Sequence, residues 1–452
     1  MNNKIFDNIN FYKELLKIVI PISLQNLLIF FLGLIDNLMV GQLGAIEITG
    51  VGLANKFFYL LAGIIFGISS GVSIFTAHYW GRKNKESIHK VAIIGLLAGI
   101  IISLIFSLFS FLNSKYIIGI FTNDQSVINA GSQYLKIVSF SFIFIVFSSI
   151  FASLYRSTGN VKLPMIITFC SLLINTCLNY LLIFGNFGFP KLGIEGAAIA
   201  TIISRFFDCS LLLFITYYKK MPAAIEFKNV LNIYLKSINI FLKKTLPLIL
   251  NDLLWTLGGS IYFFVYGRIG TNEITAINVA SPIEVVSIAI FIGLSEACVI
   301  ILGKQIGQKE EKKAYTSAIK IISTGLILSI FIGLSMIIIS DSFISLYNIS
   351  DVIKHYTKLI IIIMGCSLII KVFNLISSGI LRSGGDTKIL FFINSGSLWI
   401  LGIPIALLTG LFFKLEIYFV FLSIIMFDEV TKLIINIIRL VSKKWIHYIE
   451  IH

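Results

Sequence analysis

Charge is scarce in this chain: of 452 residues only 13% are Asp, Glu, Lys or Arg, against 57% hydrophobic, with a mean hydropathy of +0.95. That is more apolar surface than one aqueous core hides, so a water-soluble globule is excluded and the expected solvent is lipid. Cysteine is sparse as well. Cys170, Cys177, Cys209, Cys298 and Cys366 all fall in apolar stretches with no CxxC or Cys/His spacing, so packing filler is expected and neither a disulfide nor a metal site. GxxxxGK[ST] and HExxH are both missing, which leaves an ATP-driven pump or a zinc hydrolase without supporting residues. No stretch alternates as a membrane-barrel strand does, so the spans are predicted to be helices. A short basic leader precedes the first span without a small-residue cleavage site, and no removable signal is expected.

What is present is a series of apolar stretches near 15–40, 48–78, 91–112, 134–155, 164–185, 194–218, 245–267, 275–302, 318–340, 357–381, 389–412 and 415–440. At about 1.5 Å per residue each can cross a hydrocarbon core of about 30 Å. Twelve spans predict an all-α membrane protein with both termini on one side. With the termini in the cytoplasm, 26 of the 36 basic residues fall in cytoplasmic segments and eight on the other side, while Arg205 and Lys371 lie within spans. This is the positive-inside pattern, and it places the chain in the cell (inner) membrane. The net charge of +14 is therefore read as topology and contact with anionic lipid, and nucleic acid is not an expected partner.

The strongest organisational signal is an internal repeat. Pro21–Gly81 aligns with Pro247–Gly307 at a constant offset of 226 residues without a gap, pairing Gly33 with Gly259, Gly44 with Gly270, Glu47 with Glu273 and Gly67 with Gly293. The same offset superposes Arg156-Ser157 on Arg382-Ser383, Gly159 on Gly385 and Lys162 on Lys388. Two six-helix lobes, 1–218 and 245–452, are expected, joined by a basic cytoplasmic linker over 219–244. Six is even, so both repeats enter the membrane the same way and form a pseudo-symmetric pair suited to alternating access.

Four stretches, in order along nearly the whole chain, resemble the multidrug and toxic compound extrusion (MATE) family. They are Pro21 with Ile35-Asp36-Asn37-Leu38-Met39-Val40-Gly41-Gln42-Leu43-Gly44, Leu154-Tyr155-Arg156-Ser157-Thr158-Gly159-Asn160-Val161-Lys162, Gly193-Ile194-Glu195-Gly196-Ala197-Ala198-Ile199-Ala200-Thr201, and Leu381-Arg382-Ser383-Gly384-Gly385-Asp386-Thr387-Lys388. The resemblance implies the MATE and flippase-like fold, a V-shaped pair of lobes, and a secondary antiporter. It would export cationic, often aromatic compounds in exchange for Na+ or H+. No cofactor beyond the coupling ion is expected, and the protein is expected to be a monomer in the bilayer.

Asp36 is the first candidate for ion coupling. A carboxylate inside an apolar span costs roughly 2.5 to 3.5 kcal/mol on insertion scales, so it is read as functional, and it lies within the first family motif. The alternative is a carboxylate that reaches water, since Gly41 is only about 7 Å further along the helix. Asn175 and Asn179 are one turn apart on the fifth span and share a face, and Thr201 on the sixth lies at a similar depth. One carboxylate with neutral oxygens suits a proton or a monovalent ion. For each amide singly, a role in gluing helices stands beside this one. In the family the Asn179 position is often an aspartate, and Trp255 stands where one branch has a glutamate, with Asp252 one turn earlier.

Other ionisable groups in spans fall into two sets by spacing. Arg205 with Asp208 and Asp428 with Lys432 are read as structural pairs at helical spacing. Glu284 and Lys371 have no sequence-near partner and, with Asp252 and Trp255, are assigned to a substrate cleft. Pro21 lacks an N–H and marks a bend in the first helix. The Arg156 and Arg382 turns are read as structural closures. Lipid-linked oligosaccharide flipping is the alternative function. Its anionic substrate needs several in-span arginines, where Arg205 stands alone. A membrane enzyme or sensor is the third reading and has no motif to support it.

Overall fold

The computed structural model of the protein describes residues 2–225 and 235–450, with side chains from Ile9 onward. All regular structure among them is helical. The elements are α1 (Asn2–Gly41), α2 (Ala45–Gly81), α3 (Lys85–Gly119), α4 (Gln125–Val138), α5 (Phe142–Ser157), α6 (Lys162–Phe184) and α7 (Ile194–Tyr218). They continue as α8 (Leu235–Ile269), α9 (Thr271–Gly307), α10 (Glu311–Ile344) and α11 (Asp351–Ser383). A tight turn joins α4 and α5 into one span, Gln125–Ser157, and a further span follows at Thr387–Phe412, so among the described residues eleven helices are long and apolar enough to cross a membrane. The predicted twelfth is an unbroken helical run from Ile417–Ile424 to Val430–Val441, and it carries Asp428, Glu429, Lys432 and Arg439. Both of the last two spans contain wide π-helical turns, at Phe392–Gly396, Leu398–Gly402, Leu408–Phe412 and Ile425–Glu429.

The repeat reappears in local geometry. Helices α2 and α9 begin and end at positions offset by the same 226 residues, and so do the ends of α5 and α11. The turn after α2 holds Lys83 at φ 58°, and its counterpart after α9 holds Lys309 at φ 62°. In each, the chain doubles back in the left-handed region so that an N–H reaches a carbonyl five residues earlier. Asn84 donates to Tyr79 and Glu310 to Gln305, both at 3.0 Å. Gly159 (φ 90°) and Gly385 (φ 69°) close the turns after α5 and α11, where a side chain would be strained.

The chain forms two compact units, one from residues 24–249 and the other from residues up to Ser23 with 250–450. The boundaries fall two residues after Pro21 and two after Pro247, inside α1 and α8, whereas the lobe boundaries expected from the repeat lie at 218 and 245. In the 24–249 unit the first part of α8 packs on α2. Its buried face is Ser237, Phe241 and Thr245, one residue per turn, and the Phe241 ring lies 5.7 Å from that of Phe75, tilted by 32°. There a Cβ on Gly67 would meet the Ile249 backbone at 2.7 Å, so only glycine permits this approach. In the other unit the start of α1 takes the matching place. Ser23 donates to the Ile290 carbonyl at 2.7 Å, and a Cβ on Gly293 would meet the Val19 carbonyl at 2.8 Å. Of the expected linker 219–244, residues 226–234 lie outside the described residues, and 235–244 are already helix α8.

The end of the chain folds back on the turn after α11. Trp445 is fully buried, and the His447 N–H donates to the Gly384 carbonyl at 3.1 Å. Arg439 Nε contacts Asp386 Oδ2 at 2.6 Å, and His447 Nε2 lies 3.5 Å from Asp386 Oδ1. Burial pushes the Asp386 carboxyl up, but the hydrogen bonds from His447 and Arg439 outweigh it and hold the group below the ordinary aspartate value.

Candidate functional site

Three of the four residues assigned to ion coupling meet directly, all within the 24–249 unit. Asp36 sits on α1 five residues before its end. Across from it, Asn175 and Asn179 project from one face of α6 and are both buried. Asn179 Nδ2 donates to Asp36 Oδ1 at 2.9 Å. With its amide nitrogen facing the carboxylate, Asn175 donates to Oδ2 at 2.8 Å and to Oδ1 at 3.2 Å. That amide orientation is the satisfied one, since the reverse sets an amide oxygen against two carboxylate oxygens. Both carboxylate oxygens thus accept from amides, while Asn179 Oδ1 is buried without a partner. Thr201 is the fourth. It does not touch Asp36, and its hydroxyl donates to the Ala197 carbonyl at 3.0 Å, but it lines the same cavity.

This cavity, of about 480 Å³, is walled by Phe30, Phe58, Tyr59, Tyr134, Asp36 and Asn179, with Thr201 and Arg205 from α7. Its size suits a drug-like molecule, and an apolar, aromatic wall with a few convergent polar groups is the usual make-up of such sites. Tyr134 and Arg205 were not assigned to it from the sequence. Arg205 had been paired with Asp208 from their spacing, yet it lines the cavity, and Asp208 Oδ1 is buried with no hydrogen-bond partner. Residues three apart lie only about 60° apart around a helix, so their spacing permits contact, but here Arg205 lies at the cavity edge and Asp208 is buried in packed protein.

In the other unit the assigned cleft residues meet different partners. Lys371 Nζ forms an ion pair with Glu284 Oε1 between α11 and α9, and its ammonium lies 5.3 Å from the Phe421 ring centroid. Each is thus the other's partner, brought together from 87 residues apart. Asp252 accepts from Asn251 Nδ2 at 3.1 Å, and Trp255 is 69% exposed. The pair of Asp428 with Lys432 stands, at 2.8 Å, and is part of a larger buried network. Lys432 also reaches Glu429 at 3.1 Å, Asn374 donates to Glu429 Oε2 at 2.9 Å, and Asn436 donates to Asn374 at 3.1 Å. Arg382 contacts Glu296 at 3.2 Å and Ser295 Oγ at 2.9 Å, which fits a structural closure. Gly67-Ile68-Ser69-Ser70-Gly71 has the GxSxG spacing of a nucleophile elbow, but it runs through the interior of α2, not a strand-to-helix turn, and so offers no exposed serine.

A duplicated all-helical membrane fold with a polar-floored aromatic cavity inside one repeat defines a small-molecule transporter. The chain belongs to the MatE family, which matches residues 21–181 and 247–408, one segment in each repeat. It is thus a member of the MATE multidrug efflux transporters. It is 25% identical to "Probable multidrug resistance protein NorM" of Thermotoga maritima, covering 96% of this chain and 93% of that protein. It is 27% identical to "Probable multidrug resistance protein YoeA" of Bacillus subtilis, covering 88% and 87%. Its fold matches the solved "Outward-facing conformation of a multidrug resistance MATE family transporter of the MOP superfamily" with a TM-score of 0.87 at 18% identity, over 96% of each chain.

Proposed function

We propose that this protein is a secondary active antiporter that exports amphiphilic, aromatic organic cations in exchange for Na+ or H+. It would act as a monomer in the cell (inner) membrane with both termini cytoplasmic, and it would need no cofactor beyond the coupling ion. The observation that carries this reading is Asp36, a carboxylate held by two buried amides on the floor of an aromatic cavity. Ion and drug then compete for one negative charge. An entering H+ or Na+ neutralises Asp36, the drug's cationic group loses its partner, and release follows. Coupling needs only that ion and drug favour different states of the protein.

The two ions ask different things of the amides. A proton on one Asp36 oxygen displaces one N–H donor, and the amide turns to accept. Na+ takes oxygen ligands only, so Asn175 and Asn179 would both turn their Oδ1 atoms inward, joined by the Thr201 hydroxyl. Flipping of lipid-linked oligosaccharides is disfavoured, because a pyrophosphate calls for several cations and Arg205 is the one basic residue lining the cavity. The test is dye efflux from proteoliposomes with Na+ and pH gradients imposed separately. Transport driven by one of them supports antiport, and transport driven by neither refutes it.

A further inference from the structure

The 250–450 unit carries an apolar groove of about 170 Å³ between α10 and the last helix, Val430–Val441, with the buried Ile380 of α11 at its base. Ile319 and Ile322 form one wall, Ile437 and Val441 the other, and Trp445 closes one end. The outer wall residues Ile319, Ile437 and Val441 are exposed, so the groove is open along its side. The chain turns through the left-handed region at Lys443 (φ 56°) to bring Trp445 here. Arg439 Nη2 fixes this turn by donating to the Lys444 carbonyl at 2.9 Å, and the His447 N–H fixes it to Gly384. Lys443 Nζ lies 4.6 Å from the centroid of the Tyr315 ring, which also lines the groove, so an ammonium stands at the rim. Lys444 is exposed beside it. Among the described residues no carboxylate pairs with either lysine. The acids at the start of α10 are held elsewhere: Tyr448 donates to Glu311 at 2.6 Å and Lys313 pairs with Glu310 at 3.0 Å.

Shape and charge together narrow the occupant. An apolar cavity of roughly 150 Å³ takes a benzene-sized apolar group and no polar one, so this groove fits a stretch of acyl chain. The two lysines ask for an anion where that chain leaves the groove. A free anion would meet the lysines and leave the apolar walls uncovered. A zwitterionic lipid would fill the groove, but its own ammonium competes with the lysines for its phosphate. A second copy of the chain packed here about a two-fold axis would set lysine against lysine. We propose that the groove binds one anionic phospholipid of the adjoining leaflet, with an acyl chain between α10 and the last helix and its phosphate on Lys443 and Lys444. Trp445 belongs to the same tail as the Asp386 clasp, so the lipid fastens that tail to α10 and α11. The site lies in the other unit from the Asp36 cavity and does not depend on which ion drives transport.

The test changes Trp80, Trp255 and Trp399 to Phe in the full chain, so that Trp445 alone fluoresces, and reconstitutes it in phosphatidylcholine vesicles. Lipid with dibrominated acyl chains is then added in increasing share, since bromine quenches indole at close range. Half-maximal quenching should need at least fivefold less brominated phosphatidylglycerol than brominated phosphatidylcholine. Changing Lys443 and Lys444 to Gln should bring the two lipids to parity, and Ile319→Phe, which fills the groove, should weaken quenching by both. Equal quenching by the two lipids before the lysines are changed, or a preference that survives their loss, would overturn the proposal. If the chain with Trp445 alone does not fold, the unmodified protein in detergent decides. Phosphatidylglycerol should raise its unfolding temperature, phosphatidylcholine and glycerol phosphate should not, and the two Gln changes should abolish the rise. A rise with glycerol phosphate alone, or a dimer that Ile319→Phe dissociates, would overturn the lipid assignment in favour of a free anion or a second copy.

Discussion

Asn179 Nδ2 lies 2.9 Å from Asp36 Oδ1, joining α6 to α1 across a sequence separation of 143 residues. The bond ties the candidate coupling carboxylate to a helix that is otherwise packed against α7. A change of charge on Asp36 therefore changes what α1 and α6 hold between them. Such a local event becomes a conformational bias when the element it touches has two arrangements.

Asp36→Asn keeps the shape of the side chain and removes its charge. Gradient-driven efflux in vesicles should fall at least tenfold, the effect of about 1.4 kcal/mol or more on coupling, while expression is retained. Efflux at the unmodified rate would remove Asp36 from the mechanism.

Asn179→Ala should weaken coupling more than Thr201→Ala. The amide donates directly to the carboxylate, and a hydrogen bond to a charged group is worth roughly 1.5 to 3 kcal/mol, whereas Thr201 bonds its own helix. Asn179→Asp puts a second carboxylate beside Asp36. It should raise the pH at which proton-driven transport is half-maximal, because two like charges at this distance resist joint ionisation. An unchanged pH profile for that variant would show that Asn179 and Asp36 do not titrate together.

Much of this architecture was legible in the sequence because it follows from periodicity and repetition. Span positions, the 226-residue offset and the meeting of Asp36 with Asn175 and Asn179 needed only hydropathy, self-alignment, helical spacing and the family motif. Contacts between distant helices were not legible. Glu284 and Lys371 have no charged neighbour in sequence, and only the packing of α9 on α11 brings them together. Arg205 and Asp208 failed in the opposite direction, because neighbours on one helix point to different surroundings once that helix is packed. The exchange of the first parts of α1 and α8 was hidden too: equal hydrophobicity on either side of Pro21 and Pro247 carries no information about which unit is touched.

The Asp386 clasp predicts a pH dependence of stability outside the membrane. Its carboxyl is held below its ordinary value by His447 and Arg439 against the effect of burial, so its contribution is complete above the unfolded value and is lost as pH falls through the folded one. Thermal unfolding in detergent should shift down on acidification below about pH 4, and Asp386→Asn should be less stable at neutral pH and flatten that dependence. Parallel acid profiles for the two proteins would show that the clasp is not the titrating element.

The pairing of Arg382 with Glu296 predicts an asymmetry between its two partners. Both side chains are largely buried, at 11% and 14% exposure, so the pair contributes less as an attraction than it costs when half of it is removed. Arg382→Ala strands a carboxylate among helices, at roughly 3 to 5 kcal/mol for a fully buried pair. Glu296→Ser is gentler, because Arg382 keeps the Ser295 hydroxyl, and its long stem lets the guanidinium reach towards water. The repeat supplies an internal precedent, for the 226-residue offset places Ser70 at the position of Glu296 while Arg156 keeps that of Arg382. An arginine at this turn thus folds without a carboxylate at the matching place. Thermal unfolding should rank Arg382→Ala as the most damaging single change, Glu296→Ser as mild, and the double variant as close to Glu296→Ser, since removing the stranded charge restores most of the loss. Equal damage from both single variants, with simple addition in the double, would show that the two groups do not act as a pair.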